Sequence, residues 1–310
     1  MSKPIVAILY DFDATLATSD MQNFSFIPSL GLTPAEFWGK TKEFSDRTGC
    51  EKTLGYLNTM ITECKKRGIK MSPSFLREQG KGIKFWPGVE EWFERINKFG
   101  EQNGIEVEHY LVSSGNTEIV EGCSIYKYFK KVYGCEFLFD ENDEPIWPKN
   151  VINYTMKTQY FYRVSKGALD VNDDVGVNEK NPNKRVPSAN IVYIGDGLTD
   201  IPAMITAKEK GGHSIAVYPE GQEDKVDKLY YDGRVNYVAP ADYRKGKNSI
   251  RSCVLSSKAS PSTNRSRKKG KPTRRITNKW SSISPPHITT PSSLWAAKVL
   301  GSTSKPQNNT

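Results

Sequence analysis

The chain has 310 residues, of which 37% are hydrophobic and 25% charged, with a formal net charge of +9; that length allows one or two domains with a substantial core. The charge is uneven: residues 244–310 hold 15 of the 44 Lys and Arg and no Asp or Glu, which leaves 29 against 35, a net −6, in residues 1–243. No stretch nears the roughly 18 apolar residues of a membrane span, the N-terminal apolar run is too short for a signal peptide, and five cysteines without a Cys-x-x-Cys pair suit neither a zinc site nor a disulfide framework.

In chain order, the run Ile5-Val6-Ala7-Ile8-Leu9-Tyr10 reads as a buried parallel strand and ends in Asp11-Phe12-Asp13-Ala14-Thr15-Leu16. Residues 18–85 have helical periodicity, with Leu54, Leu57 and Ile61 marking one face. Thr33 before Pro34 is a capped helix start leading into Phe37-Trp38. Pro87-Gly88 opens a further helix through Val89, Trp92, Phe93 and Ile96. A strand follows at 109–112, ending in Ser113-Ser114-Gly115-Asn116. A helix from Thr117 to about Cys123 and an aromatic stretch come next.

Residues 136–147 read as a hairpin, and Lys157 to about Val164 as a helix. Residues 170–188 are polar, with Gly and Pro, and read as a surface excursion. Ile191-Val192-Tyr193-Ile194 is a second buried strand, ending in Gly195-Asp196-Gly197-Leu198-Thr199-Asp200. A helix at about 201–210 and a strand at 214–218 complete the expected core. Strands alternating with helices predict an α/β fold, a Rossmann-like parallel sheet with helices on both faces and right-handed crossovers. Residues 244–310, with 14 Ser, 7 Thr and 6 Pro, bury too little apolar surface to order and are expected to be disordered.

The acidic groups at 11–13 and 196–200 each follow a buried strand. Loops at the carboxyl ends of such strands line one crevice, so both groups are expected to meet there. Four carboxylates in one crevice raise each other's pKa; a hard divalent metal with oxygen ligands relieves that conflict.

Asp-x-Asp-x-Thr-Leu after one strand, Ser at the end of a second, Lys opening a helix and Gly-Asp-x-x-x-Asp after a later strand together resemble the four-part pattern of the haloacid dehalogenase superfamily. The match covers roughly residues 4–240. The resemblance implies a Mg2+-dependent phosphomonoester hydrolase. Asp11 is the implied nucleophile, forming an aspartyl-phosphate. Asp13 is the implied general acid and base, with its backbone carbonyl on the metal; the dehalogenase branch lacks an acid at this position. Ser113, with the amides of Ser114 and Gly115, is expected to hold phosphoryl oxygens, although Ser114 and Asn116 equally suit a helix N-cap.

Lys157 is expected to neutralise the phosphoryl group and orient Asp11, with Lys166 as the rival. Asp196 joins Asp11 and Asp13 as metal ligand, and Asp200 holds a metal-bound water or Lys157. Gly195 and Gly197 are expected to let the backbone turn and approach the ligand. Ala14 stands where phosphatases of the superfamily most often have Gly, and its small size predicts little effect. His109, His213 and His287 make no metal-ligand spacing.

The implied organisation is a discontinuous core, residues 1–17 and 86–243, a helical cap at 18–85, and the tail. A cap of this size points to a small phosphorylated substrate; Glu43, Arg47 and Lys52 are its polar candidates. The tail run Arg265-Ser266-Arg267-Lys268-Lys269-Gly270-Lys271-Pro272-Thr273-Arg274-Arg275 is assigned no function: it fits a nonspecific polycationic tail and leaves nucleic-acid binding or a nuclear address open; otherwise the protein is expected to be cytoplasmic, with reduced, mostly buried thiols. No membrane partner is expected, and oligomeric state is not legible. A phosphotransferase or mutase, and a degenerate core that only binds, are the competing readings.

Overall fold

The computed structural model describes residues 3–180 and 184–245. Cys253, His287, the basic run 265–275 and the rest of the tail from 246 onward lie outside the described residues. Among the described residues, no helix is long and apolar enough to cross a membrane.

The first strand, β1 (Ile5–Tyr10), leads into four helices, α1 (Phe26–Ser29), α2 (Pro34–Thr48), α3 (Lys52–Lys66) and α4 (Pro73–Gly80). Then come α5 (Val89–Gln102), β2 (Glu106–Asn116), α6 (Thr117–Glu121), β3 (Phe129–Phe139) and β4 (Pro145–Asn150). The chain continues through α7 (Met156–Lys166), α8 (Asp174–Asn178), β5 (Ile191–Gly195), α9 (Ile201–Glu209), β6 (His213–Tyr218), α10 (Asp224–Tyr231) and β7 (Tyr237–Pro240).

The seven strands form one sheet in the order β4-β3-β2-β1-β5-β6-β7. All neighbours are parallel except the β3–β4 hairpin. Helices cover both faces, and strand alternation divides the core accordingly. Ile8, Tyr10, Leu111, Ile194 and Val217 face the cluster that holds α5 and the helices of residues 18–85. Ala7, Leu9, Tyr110, Val112, Tyr193 and Ala216 face α7, α9 and α10.

β1 is central, and the strand order reverses across it. In register, Tyr10 pairs with Leu111 on one side and with Ile194 on the other. The loops after β1, β2 and β5 therefore leave the sheet at one edge, the crevice where α/β sheets bind ligands.

Several local expectations change in the structure. The core does not close at β6: α10 and β7 extend the sheet, and the apolar face of α10 is only Val226 and Leu229, too short a stripe to announce itself. The aromatic stretch before 136 is the first half of β3, parallel to β2. On α3 the buried positions include Thr53, Tyr56, Leu57, Met60 and Cys64, whereas Leu54 is 39% exposed. The covered face is thus turned about one residue from the expected one. The 170–188 excursion contains α8. Tyr243 is fully buried, and its hydroxyl donates to Thr15 O at 2.9 Å, so the packed core runs to 243. The capping box at Thr33 and Glu36 is present, and Cys64, Cys123 and Cys135 are buried free thiols.

Away from the crevice, buried Glu108 on β2 accepts from Tyr110 Oη at 2.6 Å and from Arg185 Nη1 at 2.7 Å, and pairs with Lys130. Burial works against its charge, but these donors outweigh burial and hold its pKa at about 2 rather than 4.5. A carboxyl depressed in this way stabilises the fold above about pH 4.5, and that contribution fades as pH falls to about 2. E108Q should lower stability by about 1–2 kcal/mol at neutral pH and flatten the acid limb of the stability–pH profile. Urea titrations across that range check it; an unchanged acid limb would remove Glu108 from the account.

Candidate active site

The backbone after β1 turns tightly. Phe12 O accepts from Leu16 N at 2.9 Å and Ala17 N at 3.0 Å. Thr18 N donates to Lys84 O at 2.9 Å, so the chain enters and leaves the helices of residues 18–85 side by side. Trp86 Nε1 donates to Ala14 O at 3.0 Å.

Ala14 sits at φ +53°, in the left-handed region where a Cβ is strained. Its size is not the issue; its backbone conformation is. A14G should raise stability by about 1 kcal/mol, seen as a higher Tm. A lower Tm would show that the loop tolerates Ala without strain.

Lys157 opens α7 and is fully buried. Its Nζ donates to Asp11 Oδ1 and Asp200 Oδ1, both at 2.8 Å, and to Thr199 Oγ1 at 3.3 Å. Lys166, one end of the helix away, donates instead to Val177 O and Glu179 O and so holds α8. The two lysines are thereby separated: Lys157 belongs to the crevice.

Asp11, Asp196 and Asp200 each present one oxygen within 4.8 Å of the others. Tyr193 Oη donates to Asp200 Oδ1 at 2.7 Å, while Asp200 Oδ2 is buried without a partner. Gly195 is required for this packing, since a Cβ there would lie 2.6 Å from the Asp200 carboxyl carbon. Gly197 differs from expectation: it has no close neighbour and no positive φ.

Asp13 stands beside this trio. Its Oδ1 accepts from Met21 N at 2.8 Å, and a Cβ on Gly115 would lie 3.2 Å from its Oδ2. The carboxyl end of β2 is therefore against Asp13. Ser113 is buried, and its Oγ accepts from Gly115 N at 2.9 Å. The Gly115 amide, expected to face phosphate, is thus engaged locally. Ser114 turns its carbonyl to Tyr56 Oη at 2.6 Å, and its own Oγ is buried without a partner. Asn116 stands at the N-cap of α6 without a side-chain capping bond; its Oδ1 accepts from Gln22 Nε2 at 3.1 Å.

Electrostatics follow from this crowding. Burial, then Asp200, pushes the Asp11 carboxyl well above the usual range, against the pull of Lys157. Burial and Asp20 do the same for Asp13, with the Met21 amide opposing. Burial and Asp200 raise Asp196 to about 7. Burial opposes the Lys157 charge, but Asp11 and Asp200 outweigh it and raise its pKa. Three clustered carboxylates share one ammonium, and one buried carboxylate oxygen has no donor. An all-oxygen, negatively charged set of this kind fits a hard divalent cation such as Mg2+.

Tyr193, Asp20 and Tyr56 join the crevice without belonging to any of its sequence motifs. For Tyr193 a signal existed, because a hydroxyl two residues before Gly195 in an otherwise aliphatic strand needs a partner. Glu43 and Arg47 are exposed and line a groove of about 210 Å³ between α2 and α3 that contains none of the crevice residues. Lys52 is exposed as well. His109 is structural: it bonds Tyr10 Oη at 3.0 Å and Asn97 Oδ1 at 2.9 Å.

No family model matches the chain. An uncharacterised protein of Borreliella burgdorferi is 28% identical over 271 residues, covering 78% of this chain and 93% of that one. Among solved structures, a probable phosphoserine phosphatase from Vibrio cholerae, in unliganded form, superposes with a TM-score of 0.54 at 13% identity, over 82% of this chain and 65% of its own. A haloacid dehalogenase-family hydrolase from Salmonella enterica serovar Typhi gives a TM-score of 0.46 at 15% identity, over 72% and 66%. The chain thus spans just under two thirds of the length of these two structures. The Vibrio superposition, at this identity, establishes a shared fold.

Proposed function

From the haloacid dehalogenase-type fold that the chain adopts, we propose a Mg2+-dependent phosphomonoester hydrolase acting through an aspartyl-phosphate on a small phosphorylated metabolite. One observation carries the reading: Lys157 is buried between Asp11 and Asp200, beside Asp196.

In this reading an Asp11 oxygen attacks phosphorus as the bond from phosphorus to the leaving oxygen breaks. Asp13, whose carboxyl is pushed above its usual range by burial and Asp20, gives a proton to the leaving oxygen. In the second half Asp13 takes a proton from water, the water oxygen bonds phosphorus, and the bond to Asp11 breaks. The Met21 amide holds one Asp13 oxygen and leaves the other for proton transfer. Lys157 keeps Asp11 oriented and offsets the phosphoryl charge, and Ser113, near the carboxyl end of β2, would receive a phosphoryl oxygen. Asp11, Asp196 and the Asp13 carbonyl would hold Mg2+, with Asp200 behind them, and the ion would add positive charge where the transferring group sits.

Helices α1–α4 are read as a lid. Tyr56 of α3 reaches the Ser114 carbonyl, and Gln22 reaches Asn116, so the segment lies over the carboxyl end of β2. A lid in that place favours a small leaving group. With its described thiols free, the protein is read as a cytoplasmic enzyme.

The test is phosphate release from a panel of small phosphomonoesters and a phosphoprotein, with and without Mg2+. Mg2+-dependent release from small esters is expected. Equal rates on the phosphoprotein would remove the small-metabolite reading, and no release from any substrate would remove the hydrolase.

A further inference from the structure

Tyr193 is fully buried on β5, yet its side chain is not merely core. Its hydroxyl donates to Asp200 Oδ1 at 2.7 Å, and Lys157 Nζ donates to the same oxygen at 2.8 Å. Both donors therefore crowd one oxygen, while Oδ2 is buried with none. A buried carboxylate oxygen without a partner is rare and demands a reason. One Asp200 oxygen lies within 4.8 Å of oxygens of Asp11 and Asp196, so the carboxylate belongs to an all-oxygen set that fits a cation or a cation-bound water.

We propose that Tyr193 is a positioning residue of the cation site: by sharing Asp200 Oδ1 with Lys157, it fixes the Asp200 carboxylate behind Asp11 and Asp196, the side chains that would hold the metal. The lysine alone does not do this. Its long, rotatable stem also serves Asp11 and Thr199, whereas the tyrosine hydroxyl is fixed on a rigid ring packed inside the sheet. Gly195 supplies the space, because any Cβ there would displace the Asp200 carboxylate from above the strand end. The role is that of outer groups that orient metal ligands.

The inference rests on the reading of the crevice as a Mg2+ site, and the experiment separates the two. Mg2+ alone is titrated into the full chain without substrate, by calorimetry and by the metal-induced rise in Tm, for wild type, Y193F and Y110F. Tyr110 is an equally buried tyrosine whose hydroxyl donates to Glu108 at 2.6 Å, away from the crevice. Y193F should bind Mg2+ about tenfold more weakly, the lower end for loss of such a partner. Y110F should lose stability and keep wild-type Mg2+ affinity. Y193M, which also removes the hydroxyl, serves if Y193F folds poorly.

Unchanged affinity in the folded Y193 variant, or an equal loss in Y110F, would overturn the role of Tyr193 and leave the metal site standing. Absence of Mg2+ binding in the wild type would overturn both.

Discussion

D11N should abolish Mg2+-dependent phosphate release, by about 10⁴-fold or more, without lowering Tm. An amide has no oxygen nucleophilic enough to attack phosphorus, yet it matches the carboxylate in shape. Its carbonyl still accepts from Lys157, which in the wild type lies 2.8 Å from Asp11 Oδ1. The direction of the stability change follows from the electrostatics. Burial and Asp200 already push the Asp11 carboxyl well above its usual range, so the fold bears that charge at a cost, and removing it relieves like-charge repulsion. Loss of activity with a large fall in Tm would instead mark Asp11 as a structural residue. Full activity in D11N would remove it as the nucleophile.

K157A should be the most destabilising change in the crevice, by about 3–5 kcal/mol, or a fall in Tm on the order of 10 °C for a chain of this size. The ammonium is the only cation hydrogen-bonded to Asp11 and Asp200 among the described residues, and all three groups are buried. Without it, carboxyls that already titrate high move higher still. A carboxyl raised in the fold favours the native state at low pH and loses that advantage as pH rises through its folded pKa. For Asp196 that window runs from 3.8 to about 7. The deficit of K157A against wild type should therefore widen as pH rises past about 7, where Asp196 ionises in the wild type but stays protonated in the variant, and added Mg2+ should narrow it by supplying the missing positive charge. Denaturant titrations at several pH values, with and without Mg2+, measure it. A deficit independent of pH would mean that Lys157 acts through packing alone.

On α3 the 54/57/61 pattern and the real 53/56/57/60/64 face both fit helical spacing, and only tertiary packing, chiefly against α2, decides between them. At Ala14 the sequence exposes side-chain size but not φ, and the strain lies in φ. Ser113 and Ser114 are adjacent hydroxyls of the same chemistry. The strand's exit geometry turns one to the Gly115 amide and leaves the other unpartnered. Lys157 and Lys166 share one helix, and what separates them is which end of α7 abuts the sheet edge.

By itself, the sequence determined the parallel sheet, its two acidic loops and the helical segment between β1 and α5. Each of these is written in short-range apolar runs, caps and turns that the local chain decides. Tertiary structure alone decided that Tyr193 and Lys157 share one oxygen of Asp200, that Tyr56 meets Ser114, and that Tyr243 closes over Thr15, 228 residues away. Such contacts join groups with no local relation. Their partners are chosen by strand order and register, and β1 lies between β2 and β5 only once the whole sheet has formed.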